Sequence, residues 1–114
     1  MNSSNDNYPF AGLRIHSEDA VWLRKRWDRY CSEAAALAEE RAKEIPDPTK
    51  VNNHMVSMFQ HKKAVCDYMS HIYSRASRRM LHEAFGDDVE EWMREHGIRI
   101  VSEQVSKKER DKKY

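Results

Sequence analysis

The chain has few residues that break regular structure. Its 114 residues include only 3 Gly and 3 Pro, too few for frequent turns, so long uninterrupted helices are expected. No window approaches the run of about 20 apolar residues that a membrane span requires. The polar start, MNSSNDNYPF, lacks the apolar stretch of a secretory signal. The two cysteines, Cys31 and Cys66, cannot make a disulfide framework. A single disulfide between them is one reading, and a buried, reduced pair in a cytoplasmic protein is the plainer one. Formal net charge is only +1, which does not favour a general nucleic-acid binder.

What is present is charge and amphipathic periodicity. Charged residues make up 34% of the chain and hydrophobic residues 39%, a balance suited to long solvated helices around a modest core. Helices of this kind cannot hide all their apolar faces in a monomer, so an oligomer is expected. Residues 1–16 are Asn/Ser-rich and aperiodic, which predicts a mobile N-terminal arm. Ser17 is a suitable N-cap, and Glu18 and Asp19 complement the positive helix end. A helix is expected over about 18–45. Its apolar seam is Ala20, Leu23, Trp27, Tyr30, Ala34 and Leu37, at alternating spacings of three and four, the pattern of a dimer seam.

Pro46 closes this helix, since the residue before proline is pushed out of helical geometry. Asp47-Pro48 opens a second, expected over about 48–85. Its stripe is Val51, Met55, Met58, Val65, Met69, Ile72, Ala76 and Met80. Gly86 follows as a natural stop. Asp87 with Glu90 three residues on has the form of a capping box, predicting a short third helix over about 88–96 that ends at Gly97. Residues 98–101 could be a strand or an extended segment, and 102–114 form a charged tail expected to be disordered. The expected fold class is all-α: two long helices plus a short third in a homodimer. An N-terminal arm at 1–16 precedes a helical domain at 17–101.

No catalytic constellation is visible. His54 and His61 are seven residues apart on one helix face, but HExxH, CxxC and a third ligand at metal spacing are all missing, so neither metal nor cofactor is expected. Nucleophile triads favour loops and strand ends, and nearly every candidate here lies within a helix. Charge falls in blocks: residues 24–29 carry net +3, 33–44 net −2, 62–79 net +4 and 83–95 net −5. The basic blocks could lie on phosphates, and the acidic ones could occupy another protein's DNA channel.

One segment is more specific. Ala76–Glu90, ASRRMLHEAFGDDVE, resembles a segment of the Gam family of phage lambda. It has Ala-Ser, two basic residues, four variable positions, Ala-Phe and an acidic cluster closing in Asp-Val-Glu. The following MREHGIRIV (93–101) is similar to the Gam stretch after that motif. Upstream, Trp27-x-x-Tyr30 and Leu37-Ala38-Glu39-Glu40 resemble the family's long first helix. The resemblance spans roughly residues 20–101. It implies a helical homodimer, encoded by a phage, in the cytoplasm of the infected bacterium. Such a dimer binds the host RecBCD helicase–nuclease stoichiometrically and competes with duplex ends for the enzyme's DNA-binding site. It involves no catalysis, no membrane and no direct DNA binding of its own. The contact residues expected on the first helix are Trp22, Glu33, Glu40 and Glu44, with Asp87 and Glu90 kept for capping. The alternative is a small helical nucleic-acid-binding protein using the basic clusters at 24–29 and 62–79.

Overall fold

The computed structural model describes residues 8–100, and these are helical without a strand among them. Four helices follow one another: α1 (Ser17–Arg41), α2 (Pro48–Ser70), α3 (Arg75–Phe85) and α4 (Val89–Glu95). No helix among the described residues is long and apolar enough to cross a membrane. Two compact units share the chain. One is Ile15–Val65, holding α1 and most of α2. Among the described residues, the other joins 8–14 with 66–100.

In the Ile15–Val65 unit, α1 starts from His16 without a side-chain cap, so Ser17 lies inside the helix and is not its cap. The helix ends at Arg41, four residues before the end that Pro46 imposes. The cause is Glu40, which is only 5% exposed. Its carboxylate accepts the Asp47 backbone N–H at 2.9 Å and Lys43 Nζ at 2.9 Å. These bonds fold the connecting loop back on the helix end and leave Ile45 at the loop tip, 87% exposed. Asp47 starts α2 as the sequence suggests, its Oδ1 accepting the Thr49 N–H at 2.9 Å.

The α1–α2 pairing carries a polar ladder. Glu33 Oε1 accepts from His54 Nδ1 at 2.7 Å, and Arg26 donates to His61 Nδ1 at 3.3 Å. With Glu40 and Asp47 these rungs recur every seven residues on both segments, the register of an antiparallel helical pair. Guanidinium can only donate, so His61 accepts through an unprotonated Nδ1. Burial lowers the His61 pKa, and the charges of Arg26 and Arg29 lower it further against an opposing pull from Glu33. Among the predicted seam residues, Leu23 and Leu37 are buried within the single chain, while Trp27, Tyr30 and Ala34 are partly exposed and Ala20 is exposed. Trp27 and Tyr30 stack at 5.6 Å. The two seam leucines therefore complete the protomer's own core and are not left over for a second copy. Met55, placed in the α2 stripe by its spacing, is instead exposed along with Val56 and Phe59.

The expected second helix, 48–85, is two helices. α2 stops at Ser70, whose hydroxyl donates back to the Asp67 carbonyl at 2.6 Å. α3 begins after Ser74. The Ser74 hydroxyl accepts the Ser77 N–H at 3.1 Å, and the Ser77 hydroxyl accepts the Ser74 N–H at 2.7 Å. This reciprocal cap satisfies backbone donors that a continuous helix would have used internally. Gly86 ends α3 at φ 103° and ψ 168°, a conformation essentially confined to glycine. Gly97, at φ 78°, ends α4 as expected. There Ile98 N–H reaches the Met93 carbonyl at 2.9 Å and Gly97 N–H the Arg94 carbonyl at 3.1 Å, a Schellman closure. Ile98 and Ile100 are buried on either side of exposed Arg99, without strand pairing. The region expected to be a mobile arm contains Phe10, which is 2% exposed and lies edge-on to Tyr8. Cys66 is buried and Cys31 exposed, and no disulfide joins them, so they are not a buried pair. Residues 1–7, Val101 and the 102–114 tail lie outside the described residues.

The ladder makes a pH prediction. His61 has a folded pKa below its ordinary value, so the unfolded chain takes up its proton first. Stability is then full above the ordinary histidine range and is lost as pH falls through the folded pKa. The melting temperature should drop between about pH 7 and pH 5, and His61→Gln should remove part of that drop. Melting curves with the same pH slope in both proteins would contradict the rung.

Candidate functional site

Three side chains from the α2–α3 connection and α3 converge on one carboxylate of α4. Glu90, on the second position of α4, accepts hydrogen bonds from three side chains. These are the Tyr73 hydroxyl, Arg78 Nε at 2.7 Å and His82 Nε2 at 2.8 Å. Tyr73 sits in the α2–α3 connection, and Arg78 and His82 lie on adjacent turns of α3. The order of the elements brings them together. The Ser74/Ser77 cap fixes where α3 starts, and the Gly86 turn reverses the chain so that α4 returns its first turn toward α3. Buried Leu81, Val89 and Met93 provide the apolar contact beneath.

The electrostatics follow from this geometry. Burial alone would raise the Glu90 carboxyl. The hydrogen bonds from Tyr73, His82 and Arg78, together with the Arg78 charge, outweigh it and hold the pKa below the ordinary carboxylate value. The same bond lifts the Arg78 guanidinium above its ordinary range. An ionised carboxylate can only accept, so His82 Nε2 carries a proton toward it. His82 Nδ1 lies 3.5 Å from Asp87 Oδ1.

The capping role expected for Asp87 and Glu90 is not what these residues do. Asp88 occupies the cap position of α4, without a side-chain cap bond. The Asp87 side chain is 99% exposed. With Asp88 at the cap, Glu90 falls on the second helical position and not the third that a capping box needs, and its carboxylate is turned to Tyr73, Arg78 and His82 instead.

Beside this centre, Arg75, Arg78, Arg79, His82, Glu83 and Asp87 line an open groove of about 500 Å³. Arg75, Arg79 and Glu83 are exposed and have no ion-pair partner among the described residues. No three His, Cys, Asp or Glu side chains among the described residues cluster as a metal site.

The contact residues expected on α1 are not brought together as a surface. Glu40 is buried and closes the loop, and Glu33 is turned to His54. Trp22 is partly buried beneath Arg26, whose guanidinium carbon is 5.5 Å from the indole centroid. Only Glu44 is fully presented. The basic 24–29 block is likewise partly engaged, with Arg24 3.4 Å from Asp28 and Arg26 on His61 and Trp22. Sequence reasoning missed Tyr73 and His82. The available signal was the Ser-x-x-Ser at 74–77, which places a helix start, and hence a reversal, directly after Tyr73. No protein-family model matches the chain, and no curated protein or solved structure matches it either.

The carboxylate centre should dominate the stability of this region. Glu90→Ala should cost about 2–3 kcal/mol in urea unfolding at neutral pH, the scale for removing hydrogen bonds to a charged, mostly buried group. The folded pKa of Glu90 is depressed, so this contribution is present above the ordinary carboxylate pKa and lost as pH falls through the folded value. The gap between wild type and variant should close in acid. Asp87→Ala should stay within about 0.5 kcal/mol of wild type. The reverse ranking would restore Asp87 as the structural cap.

Proposed function

We propose that this chain is a phage-encoded inhibitor of the bacterial RecBCD helicase–nuclease. It acts as a homodimer in the cytoplasm of the infected host, binding the enzyme stoichiometrically and competing with duplex ends, with no catalytic step. The observation that carries this reading is the interlocking of the Gam-like block. Ser77 belongs to the α3 cap, Arg78 and Glu90 pair with one another, and Val89 is buried beside them. Members of the block that contact one another support reading it as one folded element. Similarity there supports a shared local fold.

α1 suits the contact role in part. Its 25 residues extend about 37 Å at ~1.5 Å per residue, and they present exposed Glu39, with Glu44 just beyond the helix end. Since Glu33 and Glu40 serve the ladder, the acidic contact is assigned to Glu39 and Glu44, with Trp22 beside Arg26. The nucleic-acid alternative is weakened where its cations meet carboxylates: Arg24 with Asp28 and Arg78 with Glu90.

The test is degradation of linear duplex DNA by purified RecBCD with increasing amounts of this chain. Protection should scale with the amount of enzyme, not of DNA. A complex with the enzyme should form without DNA, and an unrelated exonuclease should be unaffected. Glu39→Lys/Glu44→Lys should weaken inhibition while leaving the fold intact. Equal protection against an unrelated exonuclease, with duplex binding at moderate salt, would transfer the function to the basic clusters.

A further inference from the structure

An apolar patch on α2 is exposed. His54 and His61 mark the side of α2 turned to α1, where they meet Glu33 and Arg26. Met55, Val56 and Phe59 are exposed, and at ~100° per residue their mean direction lies roughly 150° from that side. Single exposed apolar side chains are ordinary, but these three are neighbours on one helix face. The charge around them has one sign. Residues 48–66 carry Lys50, Lys62 and Lys63 and no aspartate or glutamate. Lys63 is exposed one turn beyond Phe59 on the same face. It makes no ion pair among the described residues, not even with Asp67 four positions on. At the other edge of the patch, the Arg41 guanidinium donates to the Met55 sulfur at 3.4 Å, and it too has no carboxylate partner among the described residues. The patch is thus bounded by one cation at its Met55 end and another beyond Phe59.

These features define a partner. A helix closes its backbone hydrogen bonds internally, so the face offers side chains and cannot recruit a strand. Met55 and Phe59, four residues apart, form a ridge of the kind that packs into the groove of another helix. We infer that this face docks an acidic amphipathic helix of a partner protein. Apolar side chains of that helix cover Met55, Val56 and Phe59, and its carboxylates meet Arg41 and Lys63. From Met55, which Arg41 touches, to Lys63 is about 12 Å along α2 at ~1.5 Å per residue. The partner's carboxylates therefore stand about two turns apart, with its apolar residues between them. A second copy of the same face brings no carboxylate and would leave both cations unpaired. A nucleic-acid backbone supplies anions but nothing to cover Phe59. Lying in a bilayer surface takes a long apolar face, and this one covers little more than one turn. Docking here is independent of the nuclease contact proposed at Glu39 and Glu44, which has the opposite charge.

The experiment is fluorescence anisotropy of a labelled synthetic helix, about four turns long, titrated with the full chain. One face of the peptide carries leucines, bounded by glutamates about two turns apart. A control peptide has lysines in place of the glutamates. The glutamate peptide should bind roughly tenfold or more tightly than the lysine peptide at low salt. That ratio should fall as salt rises to about 1 M, where screening shortens to about 3 Å. Phe59→Ala should weaken binding roughly tenfold or more, as loss of a central aromatic anchor does. Arg41→Glu/Lys63→Glu should reverse the preference between the two peptides. Circular dichroism checks that each variant is folded. Where one is not, amide chemical shifts of the wild-type chain decide, with the largest changes on adding the glutamate peptide expected over 52–63. The inference is overturned by a glutamate peptide that does not bind, by equal binding of the two peptides, or by shifts confined to other residues. A dimer that Phe59→Ala dissociates in sedimentation would assign the face to a second copy instead. Phe59-dependent binding to phosphatidylglycerol vesicles without peptide binding would assign it to a membrane surface.

Discussion

The Glu90 carboxylate is the interaction on which the Cys66–Ile100 region depends. A carboxylate in a largely buried position is costly unless its acceptor sites are filled. Here they are filled by the Tyr73 hydroxyl, Arg78 Nε and His82 Nε2, contributed by the α2–α3 connection and two turns of α3. The requirement works in both directions. Glu90 can stay ionised only if α3 starts at Arg75 and α4 returns beside it, and the three donors are oriented only if the carboxylate is present. The Ser74/Ser77 cap and the Gly86 turn set those two conditions. Buried Leu81, Val89 and Met93 supply the non-directional part of the contact, while the carboxylate makes it specific in register.

The Ile15–Val65 unit solves a similar problem differently. Its helices are polar along much of their contact, and the heptad rungs Arg26–His61, Glu33–His54 and Glu40–Asp47 fix the register. Residues that look in the sequence like free surface charge are therefore committed. Glu33 and Glu40 define how α1 meets α2, which is why they are poor candidates for contacting a partner. The ladder leaves Glu39 and Glu44 outward.

Periodicity made the helical class readable, along with the α2 start at Pro48 and the stop at Gly97, since each rests on local chemistry. The break at His71–Ser74 was hidden because the apolar stripe runs through it in phase. Met69, Ile72, Ala76 and Met80 keep helical spacing although the backbone does not. Only the paired serines mark the boundary, and Ser-x-x-Ser is a weaker cap signature than the same motif with Glu or Gln. The role of Glu90 was not readable for a different reason. Asp87–Glu90 matches a capping pattern, and its competing donors lie eight to seventeen residues upstream. A local motif shows neither those donors nor that Asp88, and not Asp87, takes the cap position. Of the α1 seam only Leu23 and Leu37 are buried, and spacing alone does not say whether such residues face their own chain or a second one.

Arg78, Val89 and Glu90 belong both to the block on which the proposed function rests and to the carboxylate centre, so that proposal depends on whether α3 and α4 form one folding unit. Native-state hydrogen exchange tests this most directly. If Glu90 couples α3 to α4, backbone amides of both helices should open with the same free energy and the same denaturant dependence, as one cooperative unit. Exchange of 89–95 through a separate, lower-energy opening, with 75–85 still protected, would contradict the coupling and the account built on it.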